Sequence, residues 1–355
     1  MFDVAIIGTG PDPENPDREG YAMAYQHAEG YQAHDDAAMV ACADIVEENA
    51  RAFADHHDLP DGGVYTDHEE MLEAVDPDIV SVCTPPNVHA DLVIDCLESG
   101  VEAVHCEKPM AHTWGESRRM AAAAADSDTQ LTFNHQRRFG KPFRRAKELL
   151  EGGAIGDLQR VELAAPNLMD YASHSVDLAN YLVGSDPEWV IGQAEYRGAL
   201  EYFGVHNEQQ GLFQWQYEDG TQALAATGED VGPDLVGAHH RLVGSEGAIE
   251  LGSGFMAAEP PEHDHRIRRD GGDWEPIETD GESVHGPGFV VRAIADVIES
   301  VRDDRPCELR AENALEATKV IFGGYESARR RGRVEFPLEI DDHPLEALIA
   351  AADAE

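Results

Sequence analysis

A chain of 355 residues with 42% hydrophobic side chains is long enough to bury two cores, so two domains are its natural organisation. Seventy acidic residues against 26 basic ones leave a formal net charge of −44. Such a surface repels nucleic acid and anionic membranes, because both are bound by Lys and Arg that displace counterions. No apolar run is long enough for a membrane span. The acids are dispersed rather than gathered in a tail. This reads as the solvated surface of a halophile, whose salt-rich cytoplasm screens self-repulsion over a few ångströms. The opening MFDVAIIGTG has no basic segment or cleavage site, so a first strand and a cytoplasmic location are expected.

The first 125 residues alternate strand and helix signals. Val4–Ile7 is a short apolar run ending in glycine, as a buried parallel strand should. Helix is predicted around Gly20–Glu29, then a strand Met39–Ala43 ending at Asp44. Ile45–His57 reads as a helix with Val46, Ala50, Phe53 and Ala54 on one stripe. Val64–Tyr65 is a brief strand, and Asp67 can cap a helix running through Val75. Ile79–Cys83 and Ala103–Cys106 are further buried strands. Between them, His89–Ser99 is a helix stopped by Gly100. Trp114–Ala125 is a helix and Gln130–Phe133 a sixth strand. Repeated β-α-β units of this kind form a parallel sheet covered on both faces, whose ligands bind beyond the carboxyl ends of the strands.

After about residue 150 the texture changes. Gln159–Ala165 and Val190–Leu200 look extended. Phe213, Trp215 and Tyr217 alternate with polar residues, the period-two pattern of a sheet with one buried face. Glu218–Thr221 then turns the chain into a returning strand, Gln222–Thr227. Arg241–Gly244 and Ala248–Leu251 add strands around the turn Gly244-Ser-Glu-Gly247. Residues 257–281 read as loop with one small strand. Val290–Val301 and Glu312–Arg330 are helices, and the last fifteen residues form an exposed acidic helix or tail.

The chemistry-bearing residues collect at predicted strand ends. Gly8-x-Gly10 opens a turn that lets backbone approach a pyrophosphate at a helix N-terminus. The third glycine of the fingerprint is replaced by Pro13, and an insertion, residues 11–19, precedes Gly20. Gly20 is expected to take over the helix-packing role. Arg18 either faces the phosphates or is solvated. Asp44 either accepts hydrogen bonds from the adenosine ribose or caps the following helix; with no adjacent arginine, NAD is favoured over NADP. Lys108 follows an apolar strand and precedes a proline. A partly desolvated lysine there, held by Glu107, can orient or relay a hydroxyl proton. Asp170, His174, Asp177 and Tyr181 share the face of a predicted helix. His174 is a candidate general base, with Asp170 or Asp177 setting its tautomer; the plain alternative is that Asp170 caps the helix and His174 packs on the sheet. His135, Arg137 and Arg138 either line a cleft or sit on the surface. The five cysteines, Cys42, Cys83, Cys96, Cys106 and Cys307, contain no C-x-x-C and read as reduced, core or near-core thiols. Pairs such as His56-His57 and His239-His240 lack further ligands, so no metal is expected.

The ordered set Gly8-Thr9-Gly10, Asp44, Cys83-Thr84-Pro85-Pro86-Asn87-Val88-His89, Glu107-Lys108-Pro109, Phe133-Asn-His-Gln-Arg-Arg138 and Asp170-x-x-x-His174-x-x-Asp177 resembles the glucose–fructose oxidoreductase/inositol dehydrogenase/rhizopine catabolism (Gfo/Idh/MocA) family. The resemblance runs from residue 1 to about 337. It implies an N-terminal Rossmann domain and a C-terminal α/β domain whose open, mostly antiparallel sheet makes homo-oligomers, dimers or tetramers. It implies that Lys108, Asp170 and His174 are catalytic and that Thr84, Pro85, Asn87, His89 and Glu107 lie along the cofactor, with Gly8, Thr9, Gly10, Asp44 and Lys108.

The expected division is residues 1–133 for NAD(P) binding, 134–337 for substrate binding and oligomerisation, and 338–355 as an acidic tail. The helix at 312–330 is expected to pack back on the first domain. The expected activity is hydride transfer between NAD and a sugar, inositol or related polyol or keto-sugar. The substrate would enter between the domains and be held by Lys108, Arg138, Asp170 and His174. Two rival readings stay open: an enzyme that keeps NAD bound and uses it for transient oxidation, and a non-catalytic dinucleotide or sugar sensor.

Overall fold

The computed structural model describes residues 1–14, 22–198, 200–229, 231–256 and 261–354. Arg18 and Gly20, given roles above, lie outside the described residues. In chain order the elements are β1 (Phe2–Ile7), α1 (Met23–Gln32), β2 (Ala37–Ala43), α2 (Glu47–His56), β3 (Val64–Tyr65), α3 (His68–Val75), β4 (Ile79–Val82), α4 (His89–Ser99), β5 (Ala103–Cys106), α5 (Trp114–Ala125) and β6 (Gln130–Phe133). A 3₁₀ turn at Gln136–Phe139 leads into α6 (Lys141–Glu151), β7 (Leu158–Ala165), α7 (Ala172–Val183), β8 (Pro187–Glu195), β9 (Leu200–Tyr202), β10 (Val205–Asn207), β11 (Gln210–Tyr217) and β12 (Gln222–Thr227). Then come α8 (Val231–Val236), β13 (Ala238–Gly244), β14 (Gly247–Ser253), β15 (His265–Arg269), β16 (Glu275–Pro276), α9 (Gly288–Arg302), α10 (Ala311–Arg330), β17 (Val334–Glu335) and α11 (Pro344–Asp353). Two compact units result, Met1–Gln136 with Pro287–Leu315, and Arg137–Gly286 with Glu316–Glu355.

The first unit is a six-stranded sheet in the order β3-β2-β1-β4-β5-β6, parallel throughout. The strands are short apolar runs because both faces are covered. Alternation along β1 divides the core. Ala5 and Ile7 face Val80, Val82, Val104 and the helices carrying Met71, Val93 and Met120. Val4 and Ile6 face Tyr25, Tyr31 and Phe53. Val290, Ile294 and Ile298 of α9 complete this second layer, so a helix from late in the chain belongs to the nucleotide-type unit. Two helix starts differ from expectation. Helix α1 begins at Met23, and α2 begins at Glu47, because Asp44 Oδ1 accepts the Val46 amide at 2.9 Å and holds the intervening residues in a turn. Val46 therefore leaves the expected stripe and is exposed, while Ala50, Phe53 and Ala54 are buried. Asp67 caps α3 as expected, accepting from the Glu70 amide.

The second unit is built on a nine-stranded sheet, β16-β15-β14-β13-β7-β12-β11-β8-β17. Only the β7–β12 pair is parallel; the hairpin β11–β12 and the other neighbours are antiparallel. Phe213, Trp215 and Tyr217 turn inward, and Leu212 and Gln214 outward, as the alternation required. Helix α11 corrects the expected tail in part: its Pro344 and Leu345 are buried, and the next turn, residues 346–349, is half-buried because the helix is largely apolar. Among the described residues no helix is long and apolar enough to cross a membrane.

Phe213 is seated by three glycines. A Cβ built on Gly192 or Gly211 would collide with its ring, and one on Gly324 would lie 2.9 Å from Cδ1. Phe213→Ala is expected to cost about 3–5 kcal/mol in chemical denaturation, the range for emptying a buried aromatic site. Gly324→Ala is expected to destabilise the wild type but to cost less in the Phe213→Ala background, where the space is open.

Candidate active site

At the ends of β1 and β2 the turn Gly8–Gly10 is tied to a carboxylate. Gly8 and Gly10 have φ of 83° and 63°, a conformation that other L-residues adopt at a cost. Asp44 Oδ2 accepts the Gly10 amide at 2.9 Å and the Thr9 hydroxyl at 3.1 Å, while its backbone amide bonds the Tyr65 carbonyl. Helix α2 has no side-chain cap bond, so Asp44 organises the turn rather than capping that helix. A Cβ on Gly8 would overlap Thr84, which brings the β4 end against the glycine turn, whereas one on Gly10 would meet nothing within 4 Å among the described residues. Beside the turn, the Thr84 hydroxyl is buried and has no hydrogen-bond partner among the described residues. A buried, unsatisfied hydroxyl calls for a ligand or water. Together with the positive-φ glycine turn, it fits a dinucleotide laid across these strand ends.

Beyond β4 and β5 the loops are stapled from beneath. Pro85 and Asn87 are exposed, but His89 is fully buried and sets Nε2 2.8 Å from the Thr84 carbonyl and Nδ1 3.0 Å from that of Pro109. Burial pushes its pKa down against the pull of those carbonyls. His89 thus lies behind the loops and holds them together. The Lys108–Pro109 peptide is cis. Lys108 is half-buried, and its amide donates to Glu107 Oε2 at 3.1 Å. Glu107 Oε1 accepts from His27 Nε2 at 2.9 Å and Asn134 Nδ2 at 2.6 Å. Burial would raise the Glu107 carboxyl; the His27 ring, the Lys108 ammonium and the Asn134 amide outweigh it and bring the pKa to about 2. Behind this pair, His27 Nδ1 lies 3.1 Å from Ser81 Oγ, which meets the Tyr31 hydroxyl at 2.9 Å.

In the second unit Asp170 is not on the helix, as expected, but in the turn ahead of it, because α7 begins at Ala172 without a side-chain cap. That turn is held by amides. Asn167 Oδ1 accepts from Asp170 N and Tyr171 N, Asn207 Oδ1 also accepts from Asp170 N, and Glu208 Oε1 accepts from Leu168 N. Glu208 is fully buried on the Thr227 and Tyr325 hydroxyls, 2.5 Å each; burial pushes its carboxyl up against the pull of those hydrogen bonds. His174 lies on α7 and is buried. Asp177 is engaged by Arg138, whose Nε and Nη2 lie 2.7 and 2.6 Å from its two oxygens, a bidentate pair. Arg138 therefore spends that fork on Asp177. Arg137 donates to His239 at 3.0 Å and stacks on Tyr171. His135, Arg137 and Arg138 are all buried, which rules out the surface reading for the three.

His27, Asn134, Asn167, Asn207 and Glu208 were not assigned roles from sequence. The available signal for His27 was its place on the stripe Ala24, His27, Ala28, Tyr31, an i, i+3, i+4, i+7 set facing the core. Nothing comparable marked Asn207-Glu208, whose partners are distant in sequence. All five cysteines are free, and Cys83 alone is only half-buried. His68, Glu69 and Asp95 place ligand-type atoms within 4.8 Å of one another; His68 and Asp95 already pair there at 2.9 Å.

Residues 2–135 match the NAD-binding Rossmann fold of the Gfo/Idh/MocA oxidoreductase family, and residues 158–336 match its C-terminal alpha/beta domain. The chain belongs to this family. Myo-inositol 2-dehydrogenase of Thermotoga maritima is 29% identical over 180 residues, 46% of this chain and 53% of that protein. D-glucoside 3-dehydrogenase of Escherichia coli is 28% identical over 202 residues, 51% of this chain and 54% of that protein. The chain thus spans about half the length of these curated relatives. Aldose-aldose oxidoreductase of Caulobacter crescentus, solved with glycerol, superposes with a TM-score of 0.76 at 21% identity, covering 94% of this chain and 99% of that one; this likeness is one of fold.

Glu107 binds a proton less readily in the folded chain than in the unfolded one, where its value is near 4.5. Its contribution, about 3 kcal/mol, is present above pH 4.5 and is lost as pH falls towards 2. Denaturation at constant salt should therefore show the stability gap between wild type and Glu107→Gln shrinking over that window. An unchanged gap would mean the carboxylate is not held ionised by the fold.

Proposed function

We propose that the protein is an NAD-dependent dehydrogenase that exchanges hydride with a CH–OH carbon of a sugar, inositol or related polyol. The observation that carries the reading is the Lys108 loop: an amine at the carboxyl end of β5, beside a carboxylate anchored by His27 and Asn134. Gly8, Thr9 and Gly10 would hold the pyrophosphate, Asp44 the adenosine ribose, and Thr84, Pro85 and Asn87 the nicotinamide half. When bound, NAD supplies the hydride acceptor or donor. His174 takes the proton of the substrate hydroxyl, Lys108 polarises its oxygen, and Asp170 orients His174 or the substrate. Arg138 contributes by fixing Asp177 on the same helix as His174. The similarity to the inositol and glucoside dehydrogenases above supports the substrate class.

NAD is favoured over NADP because Asp44 would face a 2′-phosphate, with Glu47 and Glu48 in the next helical turn. The second unit supports self-association through its open sheet, whose outer face exposes Ile191, Leu212 and Gln214. Light scattering in high and low salt tests this directly.

The activity test is a panel of inositols, sugars and sugar acids with NAD or NADP in high salt, followed by nicotinamide absorbance. Lys108→Ala and His174→Ala are each expected to lower kcat by about 10²–10⁴ while nucleotide binding persists. Unimpaired Lys108→Ala would favour the sensor reading; retained nucleotide without net NADH formation would favour the enzyme that recycles bound NAD. Asp44→Ser is expected to weaken NAD binding yet shift the NADP/NAD preference about tenfold towards NADP, measured as the ratio of kcat/KM.

A further inference from the structure

We infer that the Glu107 carboxylate, held by His27, Asn134 and the Lys108 amide, is a fixed anion that makes the site bind oxidised, cationic nicotinamide more tightly than the reduced, neutral ring. The inference rests on the reading that the first unit takes a nicotinamide dinucleotide. In a sheet ordered 3-2-1-4-5-6 the dinucleotide divides between two mononucleotide halves. Asp44 marks the adenosine half at β2. The nicotinamide half then falls over β4, β5 and β6, where Glu107 ends the middle strand.

The groups around Glu107 hold it ionised. Tyr31 is fully buried, and among the described residues its hydroxyl meets Ser81 Oγ. Ser81 Oγ in turn lies 3.1 Å from His27 Nδ1, and His27 Nε2 meets both Glu107 Oε1 at 2.9 Å and Asn134 Nδ2 at 3.0 Å. With donors from His27, Asn134 and the Lys108 amide on its two oxygens, Glu107 keeps its charge against burial. The other groups packed on His27 are uncharged. The Cys83 thiol, 3.4 Å from Nδ1, is pushed up by burial. His105, with its ring centroid 5.0 Å away, is driven down to about 3 by burial and the adjacent ring. Asn134 carries no charge. Lys108 is the cation of the loop, and its ammonium adds to the forces that hold Glu107 ionised.

The test is equilibrium binding of NAD⁺ by calorimetry and NADH by fluorescence to the full chain in high salt. Glu107→Gln is expected to lower the preference for NAD⁺ over NADH by about tenfold, mainly through weaker NAD⁺ binding. His27→Leu is a second test that leaves Glu107 in place. As pH falls from about 8 to 6, the ratio in His27→Leu should fall towards the Glu107→Gln value as the carboxyl, one donor poorer, takes up a proton. Melting curves identify any variant that has lost the fold. If both nucleotides weaken equally in Glu107→Gln and the His27→Leu ratio is flat with pH, the pair is a structural support and the inference is overturned. A wild type that binds neither nucleotide removes the dinucleotide reading itself and this inference with it, an outcome distinct from an unmoved ratio.

Discussion

A charge buried in a protein persists only when enough donors converge on it, and Glu107 is the place where this fold meets that demand. Its donors come from α1, from the residue after β6 and from the next residue of its own loop. Satisfying one carboxylate therefore fixes the helix that opens after the glycine turn, the neighbouring strand end and the lysine loop relative to one another. His89 adds a second staple between the β4 and β5 loops. The polar ends of the parallel sheet are thus a linked set rather than a row of independent loops.

The second unit solves a related problem with the opposite electrostatic outcome. Glu208 is as deeply buried as Glu107, but its partners are two hydroxyls and an amide, so burial dominates and its carboxyl is raised. Glu107 faces a ring and an ammonium besides an amide, and there the partners dominate. Glu208 and Asn207 fasten the turn that carries Asp170. The helix after it begins with His174 in its first turn, and the Arg138–Asp177 pair locks its next turn. In both units the candidate site residues are backed by a buried polar contact, which is how side chains keep one geometry without a rigid backbone of their own.

Much of this was legible before any coordinates. Short apolar strands alternating with amphipathic helices specify a parallel sheet because period and burial are local properties. The β11–β12 hairpin was readable from alternation and a turn for the same reason. The misreadings were local conflicts that tertiary contacts resolved. Asp44 captured the Val46 amide and delayed α2, and Asn167 with Asn207 captured the amides of Asp170 and Tyr171 ahead of α7. Side-chain acceptors compete with helical hydrogen bonds wherever they can reach, and that reach depends on residues far along the chain.

By itself, then, the order of residues determined the element types, the parallel and antiparallel halves, and the placement of Gly8, Asp44, Thr84 and Lys108 at strand ends. Those follow from side-chain period and strand length alone. Only the folded chain decided that His27 lies beneath Glu107, 80 residues away, that α9 completes the first core, and that Arg138 turns to Asp177. Such pairings are chosen by which buried donors and acceptors come within about 3 Å, a distance no local pattern encodes.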